Sequence, residues 1–96
     1  MEEIDVLKKT ILSKLIRANV WGGKHTPLDF VLKGIPEHYR NTHKGMKAIE
    51  NALKSLKNDE WIFILAKRTG KGSENHVSLN PRKIREIKQF LEKFME

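Results

Sequence analysis

The chain of 96 residues contains no cysteine. Disulfide bonds, thiolate metal sites and cysteine nucleophiles are therefore excluded. A chain without cysteine suits a reducing compartment, and we expect a cytoplasmic protein. Aromatic residues make up only 7% of the sequence, so few side chains are available to stack on unpaired bases.

Long apolar segments are also missing. No stretch approaches the roughly 18 consecutive apolar residues that span a membrane. The acidic start at residues 1–5 leads into an amphipathic segment and not into an apolar run, which argues against a signal peptide. The sequence therefore predicts no membrane partner.

Motifs for catalysis or cofactor binding are equally scarce. The four histidines form no i, i+4 pair and have no zinc-motif spacing. The segment Gly70–Ser73 superficially resembles a phosphate-binding loop, but Leu65 stands where that motif requires glycine, and a strand is expected after it instead of a helix. No G-x-S-x-G, H-E-x-x-H or paired-carboxylate arrangement occurs. We therefore expect no enzymatic activity, no cofactor and no metal site.

Acidic residues are few in one part of the chain. Lysine and arginine total 19 against 12 acidic residues, which gives a net charge of +7. Residues 40–88 hold 12 of the basic and five of the acidic residues, and the rest of the chain holds seven of each. The whole net charge thus lies in the middle and later part of the sequence. Such an asymmetry favours an anionic partner, either nucleic acid or an acidic surface.

The first third of the chain predicts two helices. Residues 2–19 place apolar side chains at helical spacing with lysines and arginine outside, which is typical of an amphipathic helix. Thr26 is expected to cap a short second helix, with Pro27 as its first helical residue. Gly34 is expected to end that helix.

A third helix is expected from Asn41 or Thr42 to about Lys57. Its apolar residues repeat at three and four, as in a single buried stripe. The stripe is Met46, Ile49, Leu53 and Leu56, and it is predicted to pack on Leu7, Ile11 and Leu15 of the first helix.

The pattern changes to a period of two at residues 61–66, which are rich in β-branched and aromatic side chains and predict a strand. Residues 67–76 form a basic, glycine-containing loop, and residues 77–79 read as the returning strand of a hairpin with a mobile tip. Asn80 and Pro81 then supply the cap and first position of a last helix.

The predicted order is helix, helix, helix, hairpin, helix, in one domain over residues 1–96. It corresponds to a mainly helical α+β fold of the winged helix-turn-helix type, with three helices, a two-stranded wing and a C-terminal helix. In such a protein the third helix can enter the major groove of DNA, and the hairpin loop lies on the backbone beside it.

Polar residues on the third helix suit this role. The side opposite its apolar stripe carries Lys44, Lys47, Ala48, Asn51 and Ser55, with Lys54 at the flank. Lysines can reach phosphates or guanine, and asparagine can pair with adenine. The glycine-rich loop adds positive charge with backbone freedom, as needed to follow phosphates. The predicted DNA-binding residues are Arg40, Lys44, Lys47, Asn51, Lys54, Lys67, Arg68 and Lys71.

The chain also resembles small archaeal winged helix-turn-helix DNA-binding proteins over nearly its whole length. The resemblance rests on the segments 34–40, 44–56, 67–70 and 76–81. It implies the same fold, and DNA binding through the third helix and the wing. Carried over to this sequence, those contacts fall on Lys44, Lys47, Asn51, Lys67, Arg68 and Lys71.

Two other binding roles remain open at this point. Winged helices also serve as protein-interaction modules in larger complexes, because a fold does not fix a function. Such a module would expose an apolar patch, for which the candidates are Trp21, Tyr39, Phe90, Phe94 and Met95. RNA is the other alternative, since a basic surface suits any phosphate backbone.

A homodimer through the first and last helices is a further expectation. Both helices carry apolar residues beyond one stripe, namely Leu12 and Ile16 in the first, and Phe90 and Met95 in the last. A two-fold axis would present two third helices to half-sites roughly 34 Å apart.

Overall fold

The computed structural model describes residues 3–70 and 72–95. The helices are α1 (Glu3–Ala18), α2 (Leu28–Leu32), α3 (Glu37–Arg40), α4 (His43–Asn58) and α5 (Ile84–Glu92). The strands are β1 (Thr26–Pro27), β2 (Ile62–Thr69) and β3 (Gly72–Leu79), and a 3-10 turn at Pro81–Lys83 precedes α5. The fold is a mainly helical α+β arrangement, with helices packed on a three-stranded antiparallel sheet ordered β1, β3, β2. No helix of these residues is long and apolar enough to cross a membrane.

One hydrophobic core joins the helices to one face of the sheet. Helix α1 contributes Leu7, Ile11, Leu12 and Leu15, α4 contributes Ile49, Ala52 and Leu56, and the sheet contributes Ile62, Val77 and Leu79. All of these side chains are essentially excluded from solvent. The predicted packing of α4 on α1 is therefore correct at Ile49 and Leu56.

The rest of the predicted stripe on α4 is partly wrong. Met46 is 37% exposed, and Leu53 is only half-buried. The buried line runs instead through Gly45, Ile49, Ala52 and Leu56. The helix is rotated relative to the prediction because two small residues, which periodicity of large apolar side chains overlooks, allow α4 to approach its neighbours closely.

The two expected caps flanking α4 and α5 are confirmed. The Thr42 hydroxyl accepts a hydrogen bond from the Gly45 amide at 3.0 Å and so satisfies one of the unpaired donors of the first turn of α4. The Asn80 side-chain oxygen accepts a bond from the Arg82 amide at 3.1 Å. The Asn80 amide group also donates to the Glu60 carbonyl oxygen at 2.7 Å, which ties the start of the last helical segment to the turn before β2.

The expected cap of the second helix is wrong. Thr26 and Pro27 pair with Val77 and His76 as the short strand β1, and no side chain caps α2. The polar connection expected after Pro36 contains the extra turn α3. The helix predicted as the third is therefore the fourth, α4.

The hairpin of β2 and β3, which the sequence predicts as a wing, is longer and more regular than predicted. Its strands pair without interruption from Ile62 opposite Leu79 to Thr69 opposite Gly72, so most of the expected loop 67–76 belongs to the sheet. Gly72 has a φ of +132° at the reversal, which L side chains rarely adopt. The basic residues at 67 and 68 therefore lie on a strand and not in a loop.

Candidate nucleic-acid interface

Helix α4 presents most of its polar residues to solvent. Lys44, Lys47, Asn51 and Lys54 are all exposed, as the sequence analysis predicted. Because α4 buries its opposite side in the core, these side chains project from a rigid support. Helix, cap and core packing together bring four of the eight predicted DNA-binding residues onto one continuous face.

The composition of this face differs from the prediction in three places. Ala48 and Ser55 are half-buried, and Ala48 packs against the core. Glu50 is exposed and adds a carboxylate to the outward side. The exposed side is therefore centred near Lys47 and Lys54, and it contains one acid among its lysines.

The N-terminal part of the α4 face adjoins the start of α1. Lys44, Lys47 and Asn51 line a shallow depression of about 410 Å³ together with Glu3 and Ile4. Glu3 thus brings a carboxylate beside the lysines, and the sequence analysis did not place it there. An incoming phosphate would therefore meet a carboxylate at each part of this face, Glu3 beside Lys44 and Glu50 beside Lys54.

Arg40 lies at the corner before α4 and is already engaged inside the protein. Its Nε donates a hydrogen bond to the Ile35 carbonyl oxygen at 2.9 Å, and its guanidinium lies 4.0 Å from the Glu37 carboxylate. The side chain is about one-third exposed. Arg40 therefore braces the segment between α2 and α3, and only part of its guanidinium faces solvent.

Among its described residues, the predicted wing carries two exposed basic side chains on β2. Lys67 stands opposite Glu74 on β3, and Arg68 stands opposite Ser73. Since successive side chains of a strand point to opposite faces, Lys67 and Arg68 project from opposite faces of the hairpin. Lys71, the third basic residue predicted for the wing, lies outside the described residues.

A pair of histidines joins the loop after α1 to the wing. The Nδ1 atoms of His25 and His76 are 2.7 Å apart, and their rings meet edge to face with centroids 4.7 Å apart. One imidazole must donate its Nδ1 hydrogen to the other ring. His76 Nε2 lies 3.8 Å from the Glu74 carboxylate. Local sequence patterns do not predict this pair, because the two residues are 51 positions apart.

Lys8 is a second feature that sequence reasoning missed. It is buried in α1, with its ammonium 5.6 Å from the centre of the Trp61 ring and 5.3 Å from that of Phe90. The two rings contact each other at 65°. A cation held between aromatic faces is attracted by their quadrupoles. Lys8 therefore fastens α5 to α1 and is not part of the basic surface.

The apolar candidates for a partner surface are mostly used by the core. Leu12 and Phe90 are buried, and Trp21, Tyr39, Ile16 and Phe94 are partly buried against the core. Of the residues that suggested a dimer through α1 and α5, only Met95 is largely exposed, at 83%. Apart from Met95, the apolar residues in excess of one stripe therefore pack in or against the core of a single chain.

Over residues 3–70 and 72–95, no three histidine, cysteine, aspartate or glutamate side chains are grouped so that they could hold a metal ion. The Glu74 carboxylate approaches the ring nitrogen of His76 that points away from His25.

The chain is similar in structure to a solved Streptococcus transcriptional regulator. The two superpose with a TM-score of 0.59 over 94% of this chain and 82% of that chain, at 19% sequence identity. No protein-family model and no curated protein sequence matches the chain. At this identity the likeness shows a shared fold, which is that of a small, mainly helical α+β protein.

Proposed function

We propose that the chain is a winged helix-turn-helix protein that binds duplex DNA and regulates transcription. The order of its elements supports the winged-helix assignment: α2, α3 and α4 form the helical unit, and β2 and β3 form the wing that follows it. The solved structure to which it is similar is itself described as a transcriptional regulator. The proposal assigns no catalytic activity to the chain.

The observation that carries the proposal is the outward face of α4. Lys44, Lys47 and Lys54 are exposed there beside Asn51, and Glu50 is the one acid on that side. An α-helix fits the major groove, in which lysine reaches phosphates or guanine, and asparagine can bond adenine at two positions. The size of an α-helix and the side chains on this face of α4 therefore suit binding in the major groove.

The wing supplies a second contact in this proposal. Lys67 and Arg68 are exposed near the tip of the hairpin, and side chains of this kind neutralise backbone phosphates without reading bases. We assign base readout to α4 and sequence-independent affinity to the wing. Arg40 is assigned to bracing the corner before α4, with a secondary contact to phosphate.

A binding titration tests the proposal directly. The protein would be titrated with a mixed-sequence duplex, with a single strand and with RNA, each at several salt concentrations. We expect the tightest binding to duplex DNA, with log affinity falling by about 0.9 per decade of salt for each phosphate contact. Tighter binding to RNA than to duplex DNA would indicate that RNA is the partner. If no salt-dependent binding to any of the three is found, the protein-interaction role is favoured over nucleic-acid binding.

A matched pair of triple variants locates the surface. Replacing Lys44, Lys47 and Lys54 by alanine lowers the net charge by three, and so does replacing Lys9, Lys88 and Lys93, which are exposed on or beside α1 and α5. If α4 enters the groove, the first variant loses most of its duplex affinity and the second keeps it. Equal losses would show that binding depends on total charge and not on α4.

A further inference from the structure

Strand β2 forms one edge of the sheet. Its neighbour β3 lies on one side only, because the strand order is β1, β3, β2. The backbone N–H of Asn80, which follows β3, donates to the Trp61 carbonyl oxygen at 2.9 Å. In an antiparallel pair, every second residue directs its backbone N–H and C=O groups toward the partner strand. Here these are Trp61, just before β2, and the odd-numbered residues of β2 that follow it. The backbone groups of Ile62, Ile64 and Ala66 therefore point away from the sheet.

Nothing in the described parts of the chain satisfies these edge groups. No backbone hydrogen bond from another element reaches Ile62, Ile64 or Ala66. Natural edge strands are usually shortened, kinked by a bulge, or interrupted by proline or inward-pointing charge. This strand has eight residues, an unbroken register with β3 and no proline. Residues 62–66 of β2 are therefore open to pairing with another strand.

The side chains of this edge are apolar where a partner strand would lie. Phe63 is 40% exposed and Leu65 is 48% exposed. They are two residues apart and project from the same face of the sheet, opposite to the buried Ile62. An open backbone edge and two adjacent exposed apolar side chains therefore occupy the same stretch of five residues.

We propose that β2 is the contact between two copies of this chain, which pair their β2 strands in antiparallel fashion around Ile64. The joined sheet would have six strands, and its two-fold axis would pass beside Ile64. This register opposes Phe63 of one copy to Leu65 of the second copy on the outer face of the sheet. The proposal goes beyond the DNA-binding role and does not depend on it.

The charges at the two ends of the strand favour a second copy as the partner. Glu60 precedes Ile64 by four residues and Arg68 follows it by four, and both are exposed. Glu60 lies in the turn before β2, so the antiparallel pairing brings the Arg68 end of each β2 strand toward the turn that carries Glu60 in the second copy, once at each end. A parallel pairing would instead set Lys67 beside Lys67 and Arg68 beside Arg68. Opposite charges facing each other stabilise a pair of strands, and like charges destabilise it.

This contact differs from the one expected from α1 and α5. Leu12 and Phe90 of those helices are buried inside the chain, whereas Phe63 and Leu65 are exposed. The exposed face of α4 is not used by the proposed pairing. Each copy of the pair therefore keeps its α4 surface for another partner.

Sedimentation with matched variants tests the proposal. Leu65→Lys places a charge opposite Phe63 of the second copy, and Ile84→Lys places one on α5, where the native side chain is similarly exposed, at 41%. The wild type should form a dimer at concentrations reaching hundreds of micromolar. Leu65→Lys should raise the dimer dissociation constant at least about tenfold, since each dimer contains the contact twice. Ile84→Lys should leave it within about twofold. A wild type that stays monomeric throughout would overturn the proposal, and so would equal effects of the two variants.

Disulfide trapping tests the register. The chain has no cysteine, so Phe63→Cys and Leu65→Cys each introduce a single thiol at an exposed position. Directly opposed residues have Cβ atoms about 4.5–5.5 Å apart, and diagonal ones about 7–8 Å, which is too far for an unstrained disulfide. Under mild oxidation, mixing the two variants should give a mixed disulfide dimer, with each variant alone giving at least about tenfold less. Cross-linking of each variant with itself as readily as in the mixture would overturn the register, and an absence of all cross-links at dimer-forming concentration would overturn the strand pairing.

Discussion

Gly45 of α4 lies directly against the backbone of Tyr39 in α3. A Cβ atom at position 45 would overlap the carbonyl oxygen and the Cα of Tyr39. Gly45 is buried in the first turn of α4, where the Thr42 side chain accepts its amide hydrogen. The close approach fixes the corner through which the chain enters α4, and with it the direction in which the lysines of that helix project.

Gly45→Ala should therefore destabilise the protein although alanine favours a helix. The gain in helix propensity is about 1 kcal/mol, whereas inserting a methyl group into a packed site costs about 1–3 kcal/mol and more where backbone must move. We expect a net loss of at least about 1 kcal/mol in urea unfolding. Gly23→Ala is the control, because no atom lies within 4 Å of a Cβ at that position. A Gly45→Ala variant as stable as the wild type would disprove the contact.

The rotation of α4 can be tested at two of its apolar residues. Ile49 is fully buried and Met46 is more than one-third exposed. Ile49→Ala should cost about 2–5 kcal/mol of unfolding free energy, because it leaves a cavity in the core. Met46→Ala should cost less than about 1 kcal/mol, because much of that side chain is already in water. Denaturant unfolding of both variants measures the difference. Similar losses of unfolding free energy would indicate that Met46 is buried as periodicity predicts.

The contact between His25 and His76 should appear as an energetic coupling. One ring can donate its Nδ1 hydrogen to the Nδ1 atom of the other. A double-mutant cycle with His25→Ala and His76→Ala should give a coupling of about 0.5–1.5 kcal/mol in unfolding free energy. The matched cycle between His25 and the exposed His43 should be additive. A His25–His76 coupling below about 0.3 kcal/mol would argue against the hydrogen bond.

The division of work between α4 and the wing predicts two different binding defects. Lys67→Ala should weaken binding similarly on all duplexes and reduce the slope of log affinity against log salt by about 0.9. Asn51→Ala should remove about 1–3 kcal/mol of preference at one base pair and leave that slope nearly unchanged. A selected DNA site and its single-base variants, each titrated at several salt concentrations, provide both measurements.

Lys88→Ala is the control for those two variants, because Lys88 is exposed on α5. It should alter neither the salt slope nor the base preference. If Lys67→Ala and Asn51→Ala both leave duplex binding untouched in low salt, neither α4 nor the wing is the DNA surface. The protein-interaction role would then be favoured over DNA binding.

The type of most elements, and side chains that cap two of them, can be predicted from the amino-acid sequence alone. Local rules suffice for this, since apolar spacing distinguishes a helix from a strand and a hydroxyl or amide side chain can satisfy the first turn of a helix. Thr42, one of the two residues expected to begin α4, and Asn80 follow from these rules, and both side chains accept the expected amide hydrogens. The exposed residues Lys44, Lys47, Asn51 and Lys54 followed from the same periodicity.

The partners that these elements contact depend on how the whole chain folds. Thr26 and Pro27 form a strand instead of a helix start because β3, 50 residues later in the chain, offers them an edge. The small residues Gly45 and Ala52 set the rotation of α4, since close approach depends on the neighbour and not on hydrophobicity. The burial of Lys8 between aromatic rings and the open edge at Phe63 and Leu65 depend on long-range packing in the same way. Local periodicity carries no information about contacts between residues far apart in sequence, so these features required the folded chain.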